Sequence, residues 1–156
     1  MSRRRKSKKS LVIPDPIYNS HFVQLFINNL LKNGKKSIAT AIFYETLNTI
    51  EKKTNKDPLE ILDQAIRKAT PLIEVKSRRI GGSTYQLPLE VESSRGIRLA
   101  ISWILDAARK RSGNNMVSKL TSEILDASNN LGAAIRKKEE IHKMAEANKA
   151  FAHYRV

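Results

Sequence analysis

The segment LIEVKSRRIGGSTYQLPLEV, residues 72–91, constrains the fold more than any other part of the chain. Apolar and polar residues alternate on both sides of two adjacent glycines, and a period of two is typical of strands rather than helices. Two strands that flank Gly81 and Gly82 predict an antiparallel β-hairpin. The rest of the chain has to supply a core on which this hairpin can rest.

The apolar residues of the hairpin all have odd numbers, and this parity predicts the length of the loop. They are Ile73, Val75, Tyr85, Leu87, Leu89 and Val91. Directly opposed residues of antiparallel strands share a face, so a two-residue glycine turn would set apolar residues opposite charged ones. We therefore predict a three-residue loop at 81–83, or an equivalent bulge. The resulting pairs are Ile73 with Val91, Val75 with Leu89 and Arg79 with Tyr85.

The tip of the hairpin is predicted to project from the body. Toward the glycines the apolar face gives way to Ser77 and Arg79, so only the base of the hairpin offers apolar side chains that a core can cover. Removal of the tip should therefore leave the fold largely intact.

The remaining segments have the three- and four-residue apolar spacing of amphipathic helices. The clearest start is DPLE, where Asp57 is the expected N-cap, Pro58 the first helical residue and Glu60 the returning partner of a capping box. Pro71 should end this helix before the hairpin begins.

Other helix ends follow from similar signals. The first helix should end at residues 33–34, and Ser94 should cap the fourth. The fifth helix should include Leu131, and the sixth should span about 133–151 with Met144 on its apolar face.

The pattern as a whole predicts a mainly α fold. No internal repeat or linker divides the chain, so we expect a single domain over residues 11–156, preceded by a basic N-terminal arm at 1–10. That domain comprises six helices, with one protruding antiparallel β-hairpin (about 72–91) between the third and fourth helices.

Charge is the part of the composition that bears most on function. The 156 residues include 29 Lys and Arg but only 15 Asp and Glu, which gives a net charge of +14. This imbalance costs self-repulsion that a polyanion relieves, and nucleic acid is the usual one. No apolar run approaches the roughly 20 residues of a membrane span, and the absence of cysteine excludes disulfides and thiolate metal sites. We predict a soluble protein that binds nucleic acid and no membrane.

The basic residues cluster in the N-terminal stretch, the first interhelical turn, the hairpin, one stripe of the fourth helix and the last helix. The N-terminal cluster fits an arm along phosphates better than a presequence, since no apolar or amphipathic stretch accompanies it. In the last helix, Lys138, His142, Lys149 and His153 share a face. Each cluster alone could be a solvated surface, whereas five together favour contacts with phosphates.

Enzymatic function is not favoured by the sequence. His21, His142 and His153 lack the spacing of a metal site, and GGST at 81–84 lies between strands without the lysine of a phosphate loop. We therefore expect no catalytic residues, no metal and no cofactor.

Four stretches closely resemble a known family. They are EVKSRRIGGSTYQLPLEV (74–91), KKEEIHKMAEANKAFAHYR (137–155), DPIYNSHFVQLFINNLLKNGKK (15–36) and ARKRSGNNM (108–116). The family is that of the seventh protein of the small ribosomal subunit, bacterial and organellar type, and the resemblance runs collinearly from about residue 11 to residue 155. The stretches AIRKKEE and ARKRSGNNM look more like plastid-encoded members than typical bacterial ones.

The resemblance implies a structural protein that binds the 3′ major domain of 16S-type rRNA early and nucleates assembly of the subunit head. The hairpin and last helix of such a protein would lie near exit-site tRNA and the mRNA exit path, beside neighbouring head and platform proteins. The resemblance favours a location in plastid stroma, with bacterial cytoplasm as the alternative.

The resemblance also assigns candidate residues, with the N-terminal arm included for its basic character. The implied rRNA contacts are Arg3, Arg4, Arg5, Lys6, Lys8, Lys9, Lys35, Lys36, Lys76, Arg78, Arg79, Arg95, Arg98, Arg109, Lys110 and Arg111. The implied contacts on the tRNA and mRNA side, or with a neighbouring protein, are Gly81, Gly82, Tyr85, Lys149, His153, Tyr154 and Arg155. The alternative that stays open is an architectural DNA-binding protein with the hairpin as its arm.

Overall fold

The computed structural model describes residues 12–151. This part of the chain comprises six α-helices and one two-stranded antiparallel sheet, which confirms the predicted fold class. The elements are α1 (His21–Leu30), α2 (Lys36–Thr54), α3 (Pro58–Ala69), β1 (Ile73–Ile80), β2 (Ser83–Glu90), α4 (Ser93–Lys110), α5 (Met116–Ser128) and α6 (Ala133–Ala147). None of the helices within 12–151 is long and apolar enough to cross a membrane. The predicted arm at 1–10 lies outside the described residues.

Helix α5 is central to the body and packs against α2, α3, α4 and α6. Its Leu120 and Ile124 side chains are fully buried. On the other side of the core, the rings of Phe26 and Phe43 stack with their centroids 5.2 Å apart. Complete burial of side chains of this size contributes about 1.5–3 kcal/mol each, so the apolar stripes of the separate helices stabilise one shared core.

A buried carboxylate ties the N-terminal segment to this core. Asp15 is 2% exposed, and its oxygens accept hydrogen bonds from the backbone N–H groups of Ile17 (3.2 Å) and Tyr18 (3.1 Å). The Tyr44 hydroxyl donates a third, at 2.8 Å. Burial, together with this hydrogen bond, raises the pKa of Tyr44 to about 12. Sequence alone does not reveal this role of Asp15, because its partner Tyr44 is remote in the chain.

Two predicted helix ends are wrong. Helix α1 ends at Leu30, and residues 33–34 form the turn that follows, with positive φ values of 52° and 75°. Helix α4 begins one residue before Ser94, so that Glu92 occupies the N-cap position. The Ser94 hydroxyl instead donates to the Glu92 carboxylate at 3.0 Å. Short polar residues near a helix start fit several positions, which is why sequence placed the cap imprecisely.

The predicted apolar positions Leu131 and Met144 are also wrong. Helix α5 ends at Ser128, and a turn leaves Leu131 62% exposed before α6 begins. Helix α6 ends at Ala147 rather than near residue 151, and Met144 is 43% exposed. The buried residues of α6 are instead Ala134, Ile135 and Ala145. Two of these three are alanines, which give little apolar signal in sequence.

The hairpin register differs from the parity prediction. Gly81 and Gly82 form a two-residue turn, and the pairs are Ile73–Glu90, Val75–Pro88, Arg78–Tyr85, Arg79–Thr84 and Ile80–Ser83. Both glycines have positive φ, 55° and 91°, which gives a turn whose twist matches that of the strands. The predicted register required the apolar side chains of both strands to lie on the same face of the hairpin. In the structure the two strands carry apolar residues on opposite faces, and Ile73, Val75 and Leu89 are each half-buried.

The tip of the hairpin projects as predicted. Side chains from Ser77 to Arg79, and again over 81–84, are exposed. Nearer the base, Leu87 is 4% exposed and both strands pack against α6. The hairpin thus has a buried base and an exposed, basic end.

Candidate nucleic-acid interface

The turn between α1 and α2 places two lysines at a helix N-terminus. Lys35 occupies the N-cap position of α2 and Lys36 is its first residue, and both are exposed. No side chain caps this end, and its first turn contains no acidic residue. The N-terminus of a helix carries partial positive charge, so cations there are unfavourable unless an anion also binds. Exposed N–H groups and two ammonium groups together form a suitable site for a phosphate.

The last turn of α4 meets this turn in space. Lys32, Lys35 and Arg109 lie around a cleft of about 310 Å³ between α2 and the start of α5, which we call the α2 cleft. The Arg109 guanidinium pairs with Asp106 (Nη1–Oδ1, 3.2 Å) and donates to the Asn29 carbonyl at 3.3 Å. Two basic clusters that are far apart in sequence therefore form one surface.

The start of α4 is joined to the base of the hairpin through one carboxylate. Glu74 accepts a charged hydrogen bond from Arg95 (Nε–Oε2, 2.8 Å), and Lys76 lies 3.6 Å from its other oxygen. Two cations therefore share this one carboxylate. Among residues 12–151, the exposed Arg98 and Lys110 form no ion pair with a carboxylate.

Arg111 is held differently from its neighbours. Its Nε lies 2.6 Å from Glu123, its Nη2 bonds the Asp126 carboxylate, and its side chain is only 28% exposed. The second oxygen of the fully buried Glu123 accepts the backbone N–H of Ala134 at 3.0 Å. Burial by itself lowers the pKa of Arg111, but the two carboxylates outweigh it and raise that pKa. Arg111 therefore joins the end of α4 to α5, while Glu123 links α5 to the start of α6, and the guanidinium is engaged internally.

Sequence reasoning missed Glu123, although a signal existed. Glu123 lies between Leu120 and Ile124 on the stripe that faces the core. A carboxylate on such a stripe almost always has a cationic partner, because an unpaired charge is costly to bury. The partner itself could not be identified without the fold.

Two basic side chains of α6, Lys138 and His142, also bind internally. Lys138 Nζ donates to the Lys68 carbonyl at 2.6 Å, and Lys68 Nζ donates to the Ser128 carbonyl at the same distance. His142 Nε2 accepts the backbone N–H of Leu72 at 3.2 Å. Burial, and then the charge of Lys138, lowers the pKa of His142. This face of α6 therefore holds the helix against α3 and the start of the hairpin.

The exposed end of the hairpin and the chain after α6 complete the described surface. Around Gly81 and Gly82 there is open space, and Arg79 beside them is exposed. The Tyr85 ring lies 5.2 Å from Phe151, which anchors the hairpin where α6 ends. Exposed Lys149 borders the groove between the hairpin base and α6.

Several candidate residues lie outside the described part of the chain. They are Arg3, Arg4, Arg5, Lys6, Lys8, Lys9, His153, Tyr154 and Arg155. Within residues 12–151, no group of three or more His, Asp or Glu side chains is placed to hold a metal ion.

Comparison with known proteins identifies the family of the chain. The family model described as Ribosomal protein S7p/S5e matches residues 2–149. The chain is 60% identical to the small ribosomal subunit protein uS7c of Chlorella vulgaris and 61% identical to that of Ostreococcus tauri. It is 57% identical to uS7 of Acaryochloris marina (strain MBIC 11017), and each alignment covers 99% of both chains. The chain therefore belongs to the ribosomal protein S7p/S5e family and is a structural constituent of the small ribosomal subunit rather than an enzyme.

Proposed function

We propose that the chain binds small-subunit rRNA directly, in the 3′ major domain, and nucleates assembly of the subunit head. The observation that carries this proposal is the uncapped N-terminus of α2, where Lys35 and Lys36 add positive charge to a site that already favours anions. Arg98 and Lys110 extend the surface without carboxylate partners among the described residues. Phosphates of a folded RNA supply the missing negative charge.

Helix charges elsewhere support an RNA partner. Of the six described helices, only α3 has an acidic residue, Glu60, in its first turn. Acidic residues in the first turn stabilise a helix that binds no anion, because they interact favourably with the helix dipole. A surface that lacks them binds a polyanion better, at some cost in the stability of the free protein.

The exposed hairpin end and the region after α6 suit a second role. We propose that they face exit-site tRNA and the mRNA exit path, with neighbouring head and platform proteins beside them. Arg79 and the open glycine turn extend away from the body, so they can approach a partner that the body does not touch. The relatives in Chlorella and Ostreococcus bear the name uS7c, which supports the plastid stroma as the location.

A binding experiment tests the rRNA proposal. The full chain is titrated with a junction-containing fragment of the 3′ major domain and with duplex DNA of equal length, over a range of salt concentrations. We expect preference for the rRNA fragment, because folded RNA is recognised by its shape. Lys35→Gln with Lys36→Gln should flatten the salt dependence by about one unit for each phosphate that is no longer neutralised.

The opposite end of α2 supplies a matched control. Lys52→Gln with Lys53→Gln removes the same charge from exposed positions in the last turn, and should leave the slope unchanged. Equal affinity for rRNA and duplex DNA would contradict the proposal and favour the architectural DNA-binding alternative.

A further inference from the structure

We propose that the α2 cleft binds an unstacked nucleobase of the RNA, with the phosphate beside that base held at the rim by Lys35 and Arg109. This inference rests on the proposed rRNA-binding function and deepens it. It assigns the cleft a ligand of defined chemistry, a flat and largely apolar base joined to a negatively charged phosphate.

The cleft combines an apolar floor with a cationic rim. Its floor consists of Leu30, Ile38, Ala39, Ile42 and Met116, and its rim of Lys32, Lys35 and Arg109. None of the described residues that line it is acidic. The volume of about 310 Å³ is at the low end of the range of roughly 300–1,000 Å³ for ligand pockets. A cleft of this size suits one planar ring system rather than an extended ligand.

Ile38 is the residue that phosphate binding alone does not explain. Its side chain is 53% exposed although it lies in the first turns of α2, beside two lysines. Phosphate contacts require only cations and N–H groups, and gain nothing from an exposed isoleucine. A base packed on Ile38 removes that apolar surface from water.

Arg109 connects the two parts of the site. Its contacts with Asp106 and the Asn29 carbonyl hold the guanidinium in place, and its side chain is 33% exposed. Bases splayed out of single-stranded RNA loops stack on guanidinium planes as well as on aromatic rings. Arg109 thus brings a planar cation to a cleft with an apolar lining.

Charge complementarity favours a nucleotide over other occupants. The rim is positive, and the uncapped N-terminus of α2 adds to its potential. A neutral apolar peptide would gain nothing from this rim. An acidic peptide or an anionic lipid would use it, and both become outcomes of the test.

The test distinguishes the contribution of the apolar floor to RNA binding from that of the cationic rim. Ile38→Ser removes apolar surface without changing charge, and Ile17→Ser is its matched control, because Ile17 is 67% exposed and does not line the cleft. With Ile38→Ser the base has less surface to pack on, so the rRNA fragment should bind at least about fivefold more weakly. The salt slope should stay unchanged, whereas Lys35→Gln should flatten it.

A fluorescent base locates the binding position. The rRNA fragment is prepared with 2-aminopurine at each unpaired adenine in turn, and one position should brighten when the full chain binds, because the base leaves its stack. That increase should disappear with Ile38→Ser and persist with Ile17→Ser.

Three results would overturn the inference. If Ile38→Ser behaves like Ile17→Ser while Lys35→Gln flattens the slope, the chain binds rRNA but the cleft takes no base. If no lysine variant changes the slope, the proposed function fails as well. If vesicles of phosphatidylglycerol or a polyglutamate peptide bind in an Ile38-dependent manner and RNA affinity does not change, the cleft belongs to another ligand.

Discussion

Replacement of Glu123 by Gln perturbs the ion pair that joins the end of α4 to α5. Glu123 is fully buried, pairs with Arg111 at 2.6 Å and also accepts the Ala134 N–H. Glutamine has nearly the same shape and keeps one acceptor for Ala134, but it leaves a half-buried guanidinium with only Asp126 as a charged partner. The variant therefore tests the charge rather than the packing.

The expected loss of stability follows from burial. Removal of one partner from a buried ion pair costs about 3–5 kcal/mol, and the remaining Asp126 interaction points to the lower end, about 3 kcal/mol. The whole fold of a typical domain is stable by only about 5–15 kcal/mol. At about 2–4 °C per kcal/mol for a chain of this size, the melting temperature should fall by about 6–12 °C.

Urea unfolding followed by far-UV circular dichroism measures this loss. Asp126→Asn is the control, because the Asp126 side chain is 41% exposed, and exposed ion pairs contribute no more than about 1 kcal/mol. A cost below about 1 kcal/mol for Glu123→Gln would refute the claim that Arg111 is a structural residue. Equal costs for the two variants would refute the claim that burial makes Glu123 the stronger partner.

Three further predictions concern other parts of the body. Tyr44→Phe removes a hydrogen bond to the buried carboxylate of Asp15, so the free energy of unfolding should fall by about 1.5–3 kcal/mol; urea unfolding measures it. The pKa of His142 is lower in the folded chain than its ordinary value of 6.5, so the unfolded chain binds more protons once the pH falls below about 6.5. Stability should therefore fall as the pH drops through that value and level off below the pKa of the folded state. His142→Gln should lack this decrease. Deletion of residues 79–84, with Arg78 and its partner Tyr85 rejoined by a two-glycine turn that keeps the register, should keep the cooperative thermal transition, because the side chains of Arg79 and residues 81–84 are exposed.

Each of these predictions has a result that would contradict it. A Tyr44→Phe variant as stable as the parent would show that Asp15 is satisfied without the hydroxyl. Parallel stability curves of the parent and His142→Gln from about pH 5 to pH 8 would remove His142 as the titrating group. Disappearance of the thermal transition on deletion of the hairpin end would show that this end contributes to the core.

Local sequence predicted the parts of the fold that depend on local chemistry. Asp57 accepts the Leu59 N–H at 2.9 Å as the expected N-cap, and Pro58 follows as the first helical residue. In α2, Phe43 and Leu47 follow the four-residue apolar spacing of an amphipathic helix and are fully buried. Capping and periodicity act within a few residues, so they can be recognised without knowledge of the rest of the chain.

The hairpin shows where two local signals conflict. The parity of the apolar residues favoured a three-residue loop, whereas Gly81 and Gly82 favoured a two-residue turn, and the turn chemistry prevailed. The base of the hairpin packs against α6, and both of its faces carry apolar side chains. Sequence alone does not reveal that a helix remote in the chain covers a strand. The rule that the apolar residues of both strands share one face was therefore applied to a hairpin that does not follow it.

The candidate site had the same limitation. Lys35 and Arg109 were recognised as basic residues, but only the fold shows that they border one cleft. Arg109, Lys110 and Arg111 look alike in sequence, yet Arg111 alone of the three is bound by two carboxylates. The partners of a charge are set by tertiary contacts, and these decide whether a cation is available to RNA.

The most decisive measurement is a structure of the small subunit that contains this chain. We expect rRNA phosphates within about 4 Å of the ammonium groups of Lys35 and Lys36, with Arg111 still bound to Glu123. The proposed interface would be contradicted if solvent or another protein faced the N-terminus of α2 while the rRNA contacted a different side of the body.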